Sequence, residues 1–120
     1  MPKNNSFHID FIGIGAQKCA TTWVAQCLGE HPEICISNPK EINFFNKSNT
    51  HWISHQWHYP KGLDWYAAHF THCGENQLCG EFSTAYLYDA ETASLIHKHF
   101  PYVKLIACLR DPVERAYSQY

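Results

Sequence analysis

The chain has 120 residues, 45% of them hydrophobic, and a formal net charge of −2. That length suits one small domain with a real core. The near-neutral balance excludes a general nucleic-acid binder, so any anion must be held by local basic residues.

No stretch approaches the ~20 apolar residues of a membrane span, and "MPKNNSFHIDF" carries no signal-peptide core. The six cysteines form no C-x-x-C pair, and several, such as Cys108 in "LIACL", sit in apolar runs. They read as reduced core thiols of a cytoplasmic protein rather than a zinc ribbon or a disulfide framework.

In chain order, "FHIDFIGIG" is an apolar run ending in glycines, a buried strand. "TTWVAQCLGEH" is a helix with Thr21 or Thr22 near its start and Trp23, Val24, Cys27 and Leu28 at helical spacing, closed by Pro32. "HPEICIS" is a second strand, and "NPKEINFF" a turn into an aromatic segment. Residues 46–61 are polar and aromatic without a clear period and read as loop with room for a short helix. "GLDWYAAHFTHC" is helical, with Trp65, Tyr66, His69 and Phe70 along one side. "QLCGEFS" is a third strand. "DAETASLIHKHFP" is a helix with Asp89 as N-cap and Pro101 beyond its end. "VKLIACLR" is the clearest strand, and "PVERAYSQY" opens a further helix with proline in its first turn. Strands alternating with helices predict an α/β fold, a three-layer P-loop-like arrangement with a mainly parallel sheet. The last segment stops inside a helix pattern, so residues 1–120 read as the N-terminal part of a longer domain, truncated at the C-terminus.

The stretch "FIGIGAQKCATTW" is a strand, a loop and a helix start, the setting in which backbone N–H groups cradle an anion. Counted from Gly15 against G-x-x-x-x-G-K-[ST], Ala20 replaces the second glycine, Thr21 replaces the lysine, and Thr22 holds the hydroxyl position. Lys18 lies inside the loop instead. A lysine there can lean over a bridging oxygen near the helix end, which suits a short anhydride with no triphosphate tail and no metal.

"GAQKCATTWV" resembles the 5′-phosphosulfate loop of the sulfotransferases that use 3′-phosphoadenosine 5′-phosphosulfate (PAPS). Three further blocks are similar to those of the carbohydrate (heparan-type) members: "NPKEINFF" to K-E-x-x-F-F, "GEFSTAYL" to E-x-[ST]-x-x-Y-L, and "KLIACLRDPVERAYSQY" to the 3′-phosphate block. Four blocks in order cover nearly the whole chain. Ala20 departs from the glycine, and Asn43 from the histidine, that many members carry.

The resemblance implies sulfuryl transfer from PAPS to a hydroxyl or amine, with a carbohydrate acceptor. It implies that Lys18 neutralises the leaving oxygen, that Gly15, Ala16, Gln17, Cys19 and Ala20 supply loop backbone, and that Thr21 and Thr22 bind the 5′-phosphate. Glu41 becomes the general base, with Lys40 beside it holding sulfonate or acceptor. Arg110 and Ser118 hold the 3′-phosphate. Two other readings stand beside this one. A P-loop nucleotide kinase is disfavoured by the displaced lysine and by "LIACLRD", which places arginine before aspartate. An inactive nucleotide-binding fragment is the other. His51, His55 and His58 lack the order H-E-x-x-H, so no metal is expected. Trp52, Trp57, Tyr59, Trp65 and Tyr66 either stack on a sugar or pack, with packing favoured.

Overall fold

A computed structural model of the chain describes residues 7–15, 21–47 and 57–109. Its strands are β1 (Phe11–Gly15), β2 (Ile34–Ile36), β3 (Leu78–Phe82) and β4 (Lys104–Ala107), and its helices α1 (Thr21–Gly29), α2 (Leu63–Ala67) and α3 (Thr92–His99). Short 3-10 turns cover Tyr59–Lys61, Ala68–Phe70 and Thr84–Tyr88. The strands form one sheet in the order β2-β3-β1-β4, and every pairing is parallel. The expected α/β architecture is therefore present.

The order follows from crossovers of one hand. From β1 the chain steps past β3 to β2; from β2 it steps back to β3, and from β3 over β1 to β4. Opposite steps put their helices on opposite faces of the sheet. The core divides accordingly. Phe11, Ala25 and Phe82 pack with Val24, Leu28, Ile34, Ile36 and Ile106 on the α1 face. The other face buries Ile9, Ile12, Phe44, Phe45, Tyr66, Phe70, Tyr86, Ile96 and Phe100 under α2 and α3.

On the α1 face, β1 and β3 interlock. Phe11 stands opposite Gly80, and Gly13 opposite Phe82. Each phenyl ring lies over the partner strand's glycine: a Cβ on Gly13 would sit 2.0 Å from the Phe82 ring, and one on Gly80 2.3 Å from the Phe11 ring. The two rings meet edge to face at 6.2 Å.

Several expectations shift in detail. In α1 only one of two i,i+4 stripes can face the sheet. Val24 and Leu28 take it with Ala25, which leaves Cys27 exposed and Trp23 67% exposed. The helix expected over 62–73 is shorter: α2 passes into the 3-10 turn at Ala68, while Tyr66 and Phe70 still reach the core. Asp89 does not cap α3 at its N-cap position, which Glu91 occupies. Its carboxylate accepts the Glu91 N–H at 3.0 Å and its carbonyl the Thr92 N–H at 3.1 Å, closing the turn that leads into the helix. The helix expected from Pro112 lies outside the described residues.

The thiol expectation is corrected at one pair. Cys35 of β2 and Cys73, 38 positions later, form a disulfide. It ties edge strand β2 to the chain just beyond the Ala68–Phe70 turn, and Asn38 N–H bonds His69 O close by, at 3.1 Å. Cys27, Cys79 and Cys108 are free. Burial, then the nearby Asp10 charge, raises the Cys79 thiol pKa. Among the described residues no helix is long and apolar enough to cross a membrane.

Two stability outcomes follow. Gly13→Ala should lower unfolding free energy by about 1–3 kcal/mol through overpacking. Gly29→Ala, whose Cβ would meet only Ile36 at 3.5 Å, should be neutral or stabilising; urea melts of both compare them. Replacing Cys35 and Cys73 by serine should lower stability by about 3–4 kcal/mol, as expected for opening a loop of this length, read by the same melts.

Candidate active site at the carboxyl ends of β1 and β3

In an open parallel sheet, the crevice forms where successive crossovers diverge, at the carboxyl ends of the strands. Here that point is β1, from which the chain leaves toward β2 on one side and which β3-to-β4 crosses on the other. Gly15 ends β1 with φ 143°, and a Cβ there would lie 3.0 Å from Thr84 O and 3.2 Å from Leu87 Cβ. Glycine lets the Thr84–Tyr88 turn close directly on the strand end. Cys108 N–H bonds Gly15 O at 2.7 Å from the β4 side. Helix α1 starts at Thr21. Ala16, Gln17, Lys18, Cys19, Ala20, Arg110 and Ser118 lie outside the described residues, as does the Thr21 side chain.

The segment after β2 brings Lys40 and Glu41 to this edge. It turns through a cis Asn38–Pro39 bond, with Ser37 Oγ 2.8 Å from Pro39 O and 3.0 Å from Lys40 O. Lys40 Nζ donates to Thr22 Oγ1 at 3.3 Å and lies 3.5 Å from Glu41 Oε2. Glu41 Oε1 accepts from Thr84 N and from Thr84 Oγ1, both at 3.4 Å. Of the expected site residues, the structure thus joins Gly15, Thr22, Lys40 and Glu41 around the end of β1. The Glu41 side chain is 38% exposed and Lys40 27%. Such a pair contributes at most about 1 kcal/mol, too little to fix the carboxylate by itself.

What fixes it is the backbone. Phe82 N–H bonds Lys40 O at 3.2 Å. Beyond Glu41, three donors are taken in succession: Ile42 N–H by Glu81 Oε1 at 3.4 Å, Asn43 N–H by Ser83 Oγ at 3.0 Å, and Phe44 N–H by Tyr86 OH at 3.1 Å. Asn43 takes φ 53°, a left-handed conformation that asparagine tolerates. Ser83 Oγ and Tyr86 OH pass their own protons to Glu81, at 2.6 and 2.8 Å, and Tyr66 OH adds a bond of 2.5 Å. Glu81 is fully buried. Burial raises its pKa, opposed by the hydrogen bonds from Ser83, Tyr66, Tyr86 and Ile42. Burial and the Glu81 charge push both tyrosine hydroxyls well above their ordinary value. Glu81, Ser83, Thr84 and Tyr86 lie within "GEFSTAYL". The sequence singles that block out but assigns no role inside it; the signal is the order of its polar residues on a strand end.

Trp57, Tyr59, Trp65 and Tyr66 are packed. Trp65 lies between Phe44 and His58, stacked on both at 21°, and Trp57 stacks on Tyr59 with Lys47 over the indole at 4.9 Å. His51, Trp52 and His55 lie outside the described residues. Cys35, His72 and Cys73 place their donor atoms within 4.8 Å of one another. The two sulfurs are joined to each other, so they are not a thiolate pair.

The profile of the Sulfotransferase domain family matches residues 8–120. The chain belongs to the sulfotransferase family. Among curated relatives, it is 38% identical over 114 residues to the membrane-associated sulfotransferase kil1 of Dictyostelium discoideum, covering 92% of this chain and 22% of that protein. It is 32% identical over 117 residues to the human bifunctional heparan sulfate N-deacetylase/N-sulfotransferase 3, covering 92% and 12%. It is 30% identical over 107 residues to the human heparan sulfate glucosamine 3-O-sulfotransferase 5, covering 89% and 28%. A crystal structure of a sulfotransferase from Alicyclobacillus acidocaldarius superposes with a TM-score of 0.81 at 29% identity, covering 95% of this chain and 49% of that one. The chain thus spans less than a third of each of these curated relatives and about half of the solved one. In this sulfotransferase chain the described ends of the sequence motif, Gly15 of β1 and Thr22 of α1, sit at the switch point.

The buried carboxylate gives stability a pH signature. With its pKa raised on folding, Glu81 contributes fully below the unfolded carboxylate pKa, and that contribution is lost as pH rises through the folded pKa. Tyr66→Phe removes a bond that favours the charged form. Its deficit should be smallest at acid pH, where the carboxyl is protonated, and grow toward about 1.5–3 kcal/mol as pH rises through the folded pKa. Urea melts across that pH range measure it.

Proposed function

We propose that the protein is a PAPS-dependent sulfotransferase acting on a hydroxyl or amine of a carbohydrate. The observation that carries this reading is the junction of Lys40 with Thr22 and Glu41, 3.3 and 3.5 Å away, at the end of β1. It puts a cation, a hydroxyl at a helix start and a half-open carboxylate on one crevice. That donor set fits an anionic sulfonate beside a nucleophile that must lose a proton. The heparan sulfate activities named for relatives at 30–32% identity support a sugar acceptor.

PAPS, when bound, supplies a sulfuryl group activated by its bond to phosphate. Gly15, Ala16, Gln17, Lys18, Cys19, Ala20, Thr21 and Thr22 would hold the 5′ end, and Arg110 and Ser118 the 3′-phosphate. Lys18 supplies positive charge where negative charge grows on the leaving oxygen. Glu41 receives the acceptor's proton. Lys40 steadies Glu41 and offers its ammonium to the sulfonate. Since the transition state is loose and in-line, positioning and charge matter more than covalent chemistry.

The test is turnover with PAPS and heparan-type oligosaccharides by the full-length protein, together with calorimetric binding of the desulfated product PAP and of Mg·ATP. Glu41→Gln should lower kcat by about 10²–10⁴-fold and leave PAP affinity within about threefold. Binding selective for Mg·ATP, with no sulfate transfer, would sink the proposal in favour of a kinase.

A further inference from the structure

We propose that Glu81 is a positioning residue for sulfuryl transfer: its buried carboxylate sets the backbone from which Lys40 and Glu41 project. The inference rests on the reading of Glu41 as the base and assigns a second carboxylate, on the far side of β3 from Phe82, a separate task.

The wiring is specific. Ser83 Oγ and Tyr86 OH accept from Asn43 and Phe44 N–H and so have only their own protons left to give, and both give them to Glu81. Ile42 N–H reaches the carboxylate directly. Three consecutive amides next to Glu41 are thus oriented by one side chain, two of them through a hydroxyl. A hydroxyl rotates freely unless its proton is committed; an acceptor-only carboxylate commits it. Ile12 is the β1 residue paired with Glu81. Among the described residues Glu81 has no cationic partner. The titratable groups facing it are Tyr66 from α2 and Tyr86 from the Thr84–Tyr88 turn, while Lys40 and Glu41, on the segment it holds, bond Thr22, Thr84 and each other.

A buried acceptor with no counter-ion is strained by its own charge. Core packing alone would be served as well by an apolar residue, and removing one partner from such a network leaves buried groups unpaired. Protonation takes an acceptor position away and releases at least one hydroxyl. Catalysis should therefore fail on the acid side when Glu81 takes up its proton. Burial raises that pKa and the Tyr86 bond lowers it.

The experiment uses the full-length protein and measures kcat, KM for PAPS and the pH–rate profile for Glu81→Gln, Tyr86→Phe and Glu41→Gln. Glu81→Gln should lower kcat about tenfold or more with KM for PAPS within about threefold, and move the acid limb to lower pH. Tyr86→Phe removes the Phe44 acceptor and a donor to Glu81; it should lower kcat and move the limb to higher pH. A merely structural role would move neither limb. If Glu81→Gln does not fold, the direction of the Tyr86→Phe limb decides. Wild-type limbs in both variants beside an inactive Glu41→Gln overturn the positioning role and leave the base assignment standing. Turnover that survives Glu41→Gln overturns the base assignment, and this inference with it.

Discussion

The organisation of this site depends on one buried carboxylate. Glu81 lies on the strand next to β1, has no counter-ion among the described residues, and takes four donors. Hydrogen bonds to a charged group are worth about 1.5–3 kcal/mol each. The exposed Lys40–Glu41 pair is worth at most about 1. The geometry of the pair is thus dictated from below, by the sheet, and not by the pair. The group that orients this backbone lies in the core, apart from the exposed Lys40–Glu41 pair.

The sheet can do this because β1 and β3 are held in one register. Each strand carries a glycine where the other carries a phenylalanine, and the rings fill the missing side chains. A slip of one residue would turn Glu81 toward α1 and Phe82 toward Tyr66, reversing both faces. The same interlock lets α1, which begins at Thr21, approach through Ala25. Packing on one face of β3 therefore sets the helix start, and hydrogen bonding on the other sets the Lys40–Glu41 segment. The carboxyl end of β1 lies between them.

The parts legible in the sequence are those written locally. Glycines ending an apolar run marked β1, and "VKLIACLR" marked β4. The four blocks point to the family without geometry. Gly15, Thr22, Lys40 and Glu41 stand in two of those blocks, and the fold brings them together. What the sequence did not reveal depends on distance along the chain. Cys35 and Cys73 read in sequence as thiols because their pairing needs β2 and the end of the Ala68–Phe70 turn to be neighbours, which the order β2-β3-β1-β4 arranges. Trp23 and Val24 both lie at helical spacing, and only the sheet decides which stripe is covered. Glu81 reads in sequence as one more charged strand residue. Its burial appears when Tyr66 of α2 meets Tyr86 of the Thr84–Tyr88 turn and Ser83, the residue that joins β3 to that turn.

The most direct measurement is amide hydrogen exchange at Ile42, Asn43 and Phe44, in the wild type and in Glu81→Gln. If the carboxylate and its two hydroxyls hold this backbone, the three amides exchange slowly in the wild type. In the variant they exchange faster, while Ile12 and Gly80 in the sheet stay protected. Exchange of all three at unprotected rates in the wild type, or equal protection in both proteins, would contradict the account.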